Sequence, residues 1–163
     1  MENNAFKITL GLKKHNTEDP VVHKQDGQRF SRCNTVKFNT NTAYDVTVTI
    51  RPELTLREML IQGEKVELTR VKPEKILEDD CCIFRAEWTS TGFSSSKSGS
   101  RKDLNINFEF DKQITMMVTI QCKFYEDSEN QHCKWGQPLH NIEYDCLIKD
   151  GQSYVDILKE KYF

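Results

Sequence analysis

The sequence predicts an all-β protein, an antiparallel β-sandwich or flattened barrel of about nine or ten strands. First, apolar and polar residues alternate in segment after segment of the 163-residue chain, as they do in strands with one buried face. Second, polar turns such as Asp26-Gly27 and residues 39–42 separate these segments, which is typical of antiparallel sheets. Third, sheets with one apolar face bury those faces against each other.

Six long segments carry the clearest alternation, and we predict a strand in each. They are residues 6–12, 44–50, 82–88, 104–110, 114–124 and 142–148. The segment from Ile114 to Phe124 has the longest apolar stripe, which predicts a central strand. Shorter strands are predicted at residues 21–23, 35–38, 59–61 and 66–68, with a hairpin turn between the last two.

Residues 92–102 are rich in serine, glycine and basic residues, and we predict a flexible loop there because they have little to bury. Lys97, Arg101 and Lys102 lie in this loop, which contains no acidic residue. They are either the tip of a soluble loop or a docking site for an acidic or phosphorylated peptide, since such ligands are bound by clustered cations.

The end of the chain shows the spacing of a helix rather than of a strand. Ser153 and Asp156 resemble a capping box, and three apolar residues repeat at intervals of four. These residues are Tyr154, Leu158 and Tyr162. We therefore predict a short helix at residues 153–161, in a single domain that covers residues 1–163.

The composition argues against several classes of partner. The chain has 23 Lys and Arg against 25 Asp and Glu, whereas nucleic-acid binding usually needs a positive excess. No apolar run approaches the roughly 18 residues that span a bilayer, and the first residues do not resemble a signal peptide. We expect a cytoplasmic protein that reaches the plasma membrane through a partner, without inserting directly.

Motifs for catalysis or metal binding are not evident. The seven glycines form no phosphate-binding loop, and the six cysteines contain no Cys-x-x-Cys spacing, so we expect no metal and no cofactor. Because the first residues do not resemble a signal peptide, we expect the thiols to be reduced. The strongest catalytic candidate is His132-Cys133, but adjacent residues on an extended segment point apart. In Cys81-Cys82, one thiol is expected to face the core. No enzyme is predicted.

Seven aromatic residues lie mostly on the predicted inward faces and allow two interpretations. They are Phe30, Phe84, Trp88, Phe108, Phe110, Phe124 and Trp135. The first interpretation is that they fill the core. The second is that they line an apolar cavity between the sheets that accepts a lipid chain.

Several short segments resemble the cannabinoid receptor-interacting protein family in order and spacing. They are residues 24–30, 97–99, 123–125, the string His-Cys-Lys-Trp-Gly-Gln-Pro at 132–138, and Ile-Glu-Tyr at 142–144. The resemblance implies a small intracellular, non-enzymatic β-sandwich that binds the cytoplasmic C-terminal tail of the type-one cannabinoid receptor and modulates its signalling. The family also resembles the immunoglobulin-like sandwich of Rho GDP-dissociation inhibitors, a likeness of fold alone.

Together these features predict an adaptor or regulator that binds the cytoplasmic tail of a G-protein-coupled receptor, a cannabinoid receptor or a related one. Lys97, Arg101 and Lys102 are the predicted partner contacts. The alternative is a carrier that holds the lipid of a prenylated or acylated small GTPase or G-protein subunit between its sheets.

Overall fold

The computed structural model describes residues 4–28, 30–71, 80–97, 99–126 and 130–163. These residues contain thirteen strands, which form two sheets. In chain order the strands are β1 (Asn4–Lys14), β2 (Val22–Gln25), β3 (Asn34–Asn39), β4 (Ala43–Arg51), β5 (Leu56–Ile61), β6 (Glu64–Val66), β7 (Thr69–Val71), β8 (Cys82–Thr89), β9 (Lys102–Phe110), β10 (Ile114–Tyr125), β11 (Gln137–Pro138), β12 (Ile142–Ile148) and β13 (Asp156–Tyr162). A 3₁₀ turn (Asp111–Gln113) joins β9 to β10, and α1 (Asn130–Cys133) is a single helical turn.

The two sheets divide the strands almost equally. One has six strands in the order β13-β12-β1-β4-β8-β7, and the other has seven in the order β11-β2-β3-β10-β9-β5-β6. The sheets do not close into a barrel, so the sandwich alternative is the correct one. As predicted, β10 lies at the centre of its sheet, with three strands on either side.

The core lies between the sheets and is built from the predicted apolar stripes. In β1, β4, β8, β9 and β12, buried residues alternate with more exposed ones along the strand. Because successive side chains of a strand point to opposite faces, this pattern places one face of each strand in the core. The six long predicted strands are all confirmed.

Two features of the sheets differ from the predicted fold. The count exceeds nine or ten because β7, β11 and β13 are too short or too polar to show alternation. In addition, β3 pairs with β10 in parallel, which makes the seven-stranded sheet mixed. The intervening strands of the other sheet provide the crossover that a parallel pair needs.

The predicted helix at residues 153–161 is wrong, because that part of the chain forms strand β13. This strand pairs antiparallel with β12 and has a bulge at Leu158, between the partners of Asp145 and Cys146. The free edge of β12 supplies backbone partners for residues 156–162, and Thr115 of β10 supplies them for Ser153 and Val155. These hydrogen bonds outweigh a local helical spacing that buries little apolar surface. Tyr154 and Leu158, the first two residues of the supposed helical stripe, are both exposed.

Within the described residues, no helix has the length and apolar character needed to span a membrane.

Candidate functional site

A groove lined by three lysines lies across strands β2, β3 and β10 of the seven-stranded sheet, and we call it the cationic groove. Its volume is about 400 Å³. The lining residues are Lys24, Lys37, Ser96, Lys123, Tyr125, His132 and Trp135. They come from β2, β3 and β10, from the segment that follows β8, and from the α1–β11 segment. Among the described residues that line the groove, none is acidic, so its own charge attracts anions.

Lys37 holds the α1–β11 segment against the sheet. Its Nζ donates hydrogen bonds to the carbonyl oxygens of His132 at 2.9 Å and Trp135 at 2.5 Å, and it lies 5.4 Å from the centre of the Tyr125 ring. Burial lowers the pKa of this ammonium group. Because its donors are engaged by backbone carbonyls, Lys37 positions the groove wall and adds positive charge beneath it.

Gly136 allows the α1–β11 segment to approach β2 closely. Its φ is +144°, and a Cβ atom there would lie 2.5 Å from Val22 Cγ1 and 2.7 Å from the carbonyl oxygen of His23. The next two residues form β11, which pairs antiparallel with β2. Only glycine fits both this backbone conformation and this distance, which fixes where the preceding residue, Trp135, lies.

Trp135 is the most accessible aromatic residue of the groove. Sixty per cent of its surface is exposed, and its ring meets that of His132 edge-on, with 4.6 Å between the ring centres. Exposed tryptophans that neighbouring residues hold in place are frequent anchors of protein interfaces, because they bury a large area at little entropic cost. Trp135 is therefore suited to contact a partner, and it does not line the interior of the sandwich.

Cys133 does not have the surroundings of a nucleophile. The side chain is buried, and burial raises the pKa of its thiol, so the thiol stays protonated at neutral pH. His132 is exposed and its ring packs against Trp135. This arrangement favours a structural role for His132-Cys133 over a catalytic one. In the other cysteine pair, Cys82 is buried and faces the core as expected.

The predicted basic loop reaches the groove through Ser96. The Ser96 amide donates to the Phe124 carbonyl at 2.9 Å, and its hydroxyl accepts from the Phe124 amide at 3.0 Å. Lys97 follows and is exposed, whereas the Lys102 ammonium lies 4.8 Å from the centre of the Phe93 ring. These contacts anchor Ser96 and Lys102, the latter being the first residue of β9. The flexibility of the loop stays a prediction.

Arg101 is not available to a partner in the way that the sequence suggested. Its Nε and Nη2 atoms each donate to a different carboxylate oxygen of Asp26, both at 3.2 Å, and its guanidinium covers the Phe30 ring at 4.3 Å. Only 10% of the Arg101 side chain and 3% of that of Asp26 are exposed. Arg101 therefore joins the loop after β8 to the turn after β2.

Most of the other predicted aromatic residues lie in the core. Phe84, Trp88, Phe108, Phe110 and Phe124 are buried. Phe93 stacks on Phe124 with 4.7 Å between ring centres, and Phe38 lies 5.3 Å from Trp88 and 5.8 Å from Phe124. Such contacts are those of a packed interior, and they do not favour a lipid cavity, which stays a prediction.

Comparison with known proteins identifies the family. A profile of the CB1 cannabinoid receptor-interacting protein 1 family matches residues 2–162. The chain belongs to this family. It is 31% identical to CB1 cannabinoid receptor-interacting protein 1 of Homo sapiens and of Bos taurus, and 30% identical to that of Mus musculus. Each alignment covers 96% of this chain and 94% of the relative. The predicted family is confirmed.

Three of the segments on which the sequence resemblance rests meet at the cationic groove. Lys24 begins the first, Lys123 and Tyr125 belong to the second, and His132 and Trp135 belong to the third. Sequence reasoning did not identify Lys24, Lys37 or Lys123 as site residues. Each is a single lysine on a different strand, so only the order of the strands in the sheet brings them together.

Proposed function

We propose that this protein is a non-enzymatic intracellular adaptor that binds the cytoplasmic tail of a cannabinoid-type receptor and modulates its signalling. In this proposal an acidic, extended stretch of the tail lies in the cationic groove. The relatives are named for interaction with the CB1 cannabinoid receptor. The observation that carries the proposal is that three family-resembling segments build one groove with an exposed tryptophan among three lysines.

The chemistry of the groove suits such a ligand. Lys24 and Lys123 attract carboxylate or phosphate groups over the distance that salt screening allows. Trp135 offers apolar surface to side chains that flank the acidic groups. Lys97, from the predicted contact set, lies next to a groove residue and extends the positive charge along the ligand.

Calorimetric titration with a peptide of the cannabinoid-receptor tail tests the proposal. We expect Lys24→Glu/Lys123→Glu to weaken binding at least about tenfold, since reversed charges at an interface repel the ligand. Trp135→Ala is expected to weaken binding by a similar factor, because truncation of a central aromatic anchor commonly reduces the binding free energy by more than about 1 kcal/mol. Lys97→Glu is expected to have a smaller effect.

The matched control is Lys112→Glu/Lys149→Glu, which changes the net charge equally at residues that do not line the groove. We expect this variant to bind as the unmodified protein does. If the tail peptide gives no heat, or if both double variants weaken binding equally, the proposal is wrong.

A further inference from the structure

Strand β8 has an edge that is only partly paired. On one side it pairs with β4 along its whole length, from Cys82 to Thr89. On the other side its pairing with β7 ends at Arg85 in the described structure, because β7 begins opposite that residue. Among the described residues, alternate backbone groups of residues 86–89 therefore face away from β4 with no strand paired to them, which is the arrangement that accepts an additional strand.

A groove runs along this edge, and we call it the β8-edge groove. Its volume is about 660 Å³. Glu67 and Leu68 lead the chain from β6 in one sheet to β7 in the other, so β6 and this connection form the wall opposite β8. Val66 and Ala86 add apolar surface to the lining. Residues 85–89 of β8 line this groove one after another, so an extended peptide bound in it would run beside the unpaired edge of β8.

The lining of the β8-edge groove carries more negative than positive charge. Its acidic residues are Asp45, Glu64, Glu67 and Glu87, and its basic residues are His15, Lys65 and Arg85. The ion pairs His15–Asp45 at 2.7 Å and Lys65–Glu58 at 3.7 Å engage two of the basic side chains. Within the described parts of the chain, Glu64, Glu67 and Glu87 form no ion pair, so the groove complements a basic ligand.

We propose that the β8-edge groove binds an extended basic peptide segment of a partner protein by strand addition next to residues 86–89. Backbone hydrogen bonds to β8 supply affinity that is independent of sequence, and the three glutamates select lysine or arginine side chains. This surface lies apart from the cationic groove and shares no residue with it. The inference therefore does not depend on the proposed binding of a receptor tail.

The test uses the full chain and an acetylated, amidated peptide of alternating lysine and valine. Binding is followed by amide chemical shifts and by hydrogen exchange. We expect the amides of residues 86–89 that face the groove to exchange at least about tenfold more slowly when the peptide is bound, because strand addition pairs them. A peptide with glutamate in place of lysine is expected not to bind.

Two controls separate strand addition from simple charge attraction. A peptide of the same sequence with N-methylated backbone amides keeps the charge but loses the strand hydrogen bonds, and we expect it to bind at least about tenfold more weakly. The protein variant Glu64→Lys/Glu67→Lys is also expected to weaken binding about tenfold, whereas Asp103→Lys/Asp111→Lys, with the same charge change on exposed residues outside the groove, is not.

The proposal is overturned if the N-methylated peptide binds as tightly as the unmodified one. It is also overturned if the two double variants behave alike, or if the amides that slow on binding lie outside residues 86–89. The tail peptide of the cannabinoid receptor, added to the same samples, is expected not to displace the basic peptide. If one of the two peptides does not bind, the binding of the other can therefore still be interpreted.

Discussion

Asp26 and Arg101 form a buried, two-point ion pair that joins two loops far apart in sequence. Thr35 donates a further hydrogen bond to the same carboxylate. Burial alone would raise the pKa of Asp26, but the hydrogen bonds from Arg101 and Thr35 outweigh it, and the pKa lies below its ordinary value. The folded state therefore keeps Asp26 charged to a lower pH than the unfolded state does.

We expect Asp26→Asn to reduce the free energy of unfolding by about 3 kcal/mol, because it leaves the Arg101 guanidinium buried without its counter-charge. Chemical denaturation at neutral pH measures the change. The double variant Asp26→Asn/Arg101→Met is expected to lose less than the sum of the single variants, since it removes both charges. Additive losses would contradict the coupling. The exposed pair Glu53–Arg70 is the control, and Glu53→Gln is expected to change stability little.

The same ion pair makes stability depend on pH in the acid range. The contribution of Asp26 is complete above the unfolded-state pKa of about 4 and is lost as the pH falls through the lower folded-state pKa. We expect the difference in unfolding free energy between the unmodified protein and Asp26→Asn to be constant near neutrality and to shrink below pH 4. A difference that grows on acidification would show that the carboxylate is not stabilised by its partners.

Gly136→Ala is expected to displace the Trp135 wall of the cationic groove. The new methyl group would overlap Val22 and the His23 carbonyl. We therefore expect the free energy of unfolding to fall by about 2 kcal/mol and the fluorescence of Trp135 to change. Gly63→Ala is the control, because Gly63 also has a positive φ but has open space around its Cβ position. Equal losses of unfolding free energy in the two variants would mean that the close approach of Gly136 to β2 does not affect stability.

Lys37→Met is expected to loosen the same wall from beneath. Methionine fills similar space but cannot donate to the carbonyl oxygens of His132 and Trp135, and loss of charged hydrogen bonds of this kind costs about 2 kcal/mol. Thermal unfolding measures stability, and fluorescence quenching measures the exposure of Trp135. Lys149→Met, at an exposed residue, is the control. A Lys37→Met protein as stable as the control would show that these hydrogen bonds are dispensable.

The strands with one buried face were predictable, because alternation along β1, β4 and β10 reports directly which side chains meet the core. The end of the chain was not, since the strand at Asp156–Tyr162 forms on the free edge of β12, and its own residues bury little. Local sequence patterns also did not predict which lysines form the cationic groove. Lys24, Lys37 and Lys123 are separated in sequence and become neighbours only through strand order.

The thiols provide a last prediction, on the question of nucleophilic chemistry. Burial raises the pKa of Cys133, and it raises the pKa of Cys122 and of Cys146 to about 12 in each case. Cys33 is exposed. Because the thiolate is the reactive form and must be reachable, we expect a thiol reagent at pH 8 to modify Cys33 first and these three only as the protein unfolds.

Mass spectrometry of the digested protein locates the modified residues. The reaction in denaturant, where all six cysteines react, gives the maximum extent of modification. Cys133→Ser is expected to leave the initial rate of modification unchanged, whereas Cys33→Ser lowers it to the rate of the half-exposed Cys81. Fast modification of Cys133 in the folded protein would contradict its burial beside the groove. Such a result would show that the Cys133 thiolate is accessible in the folded protein.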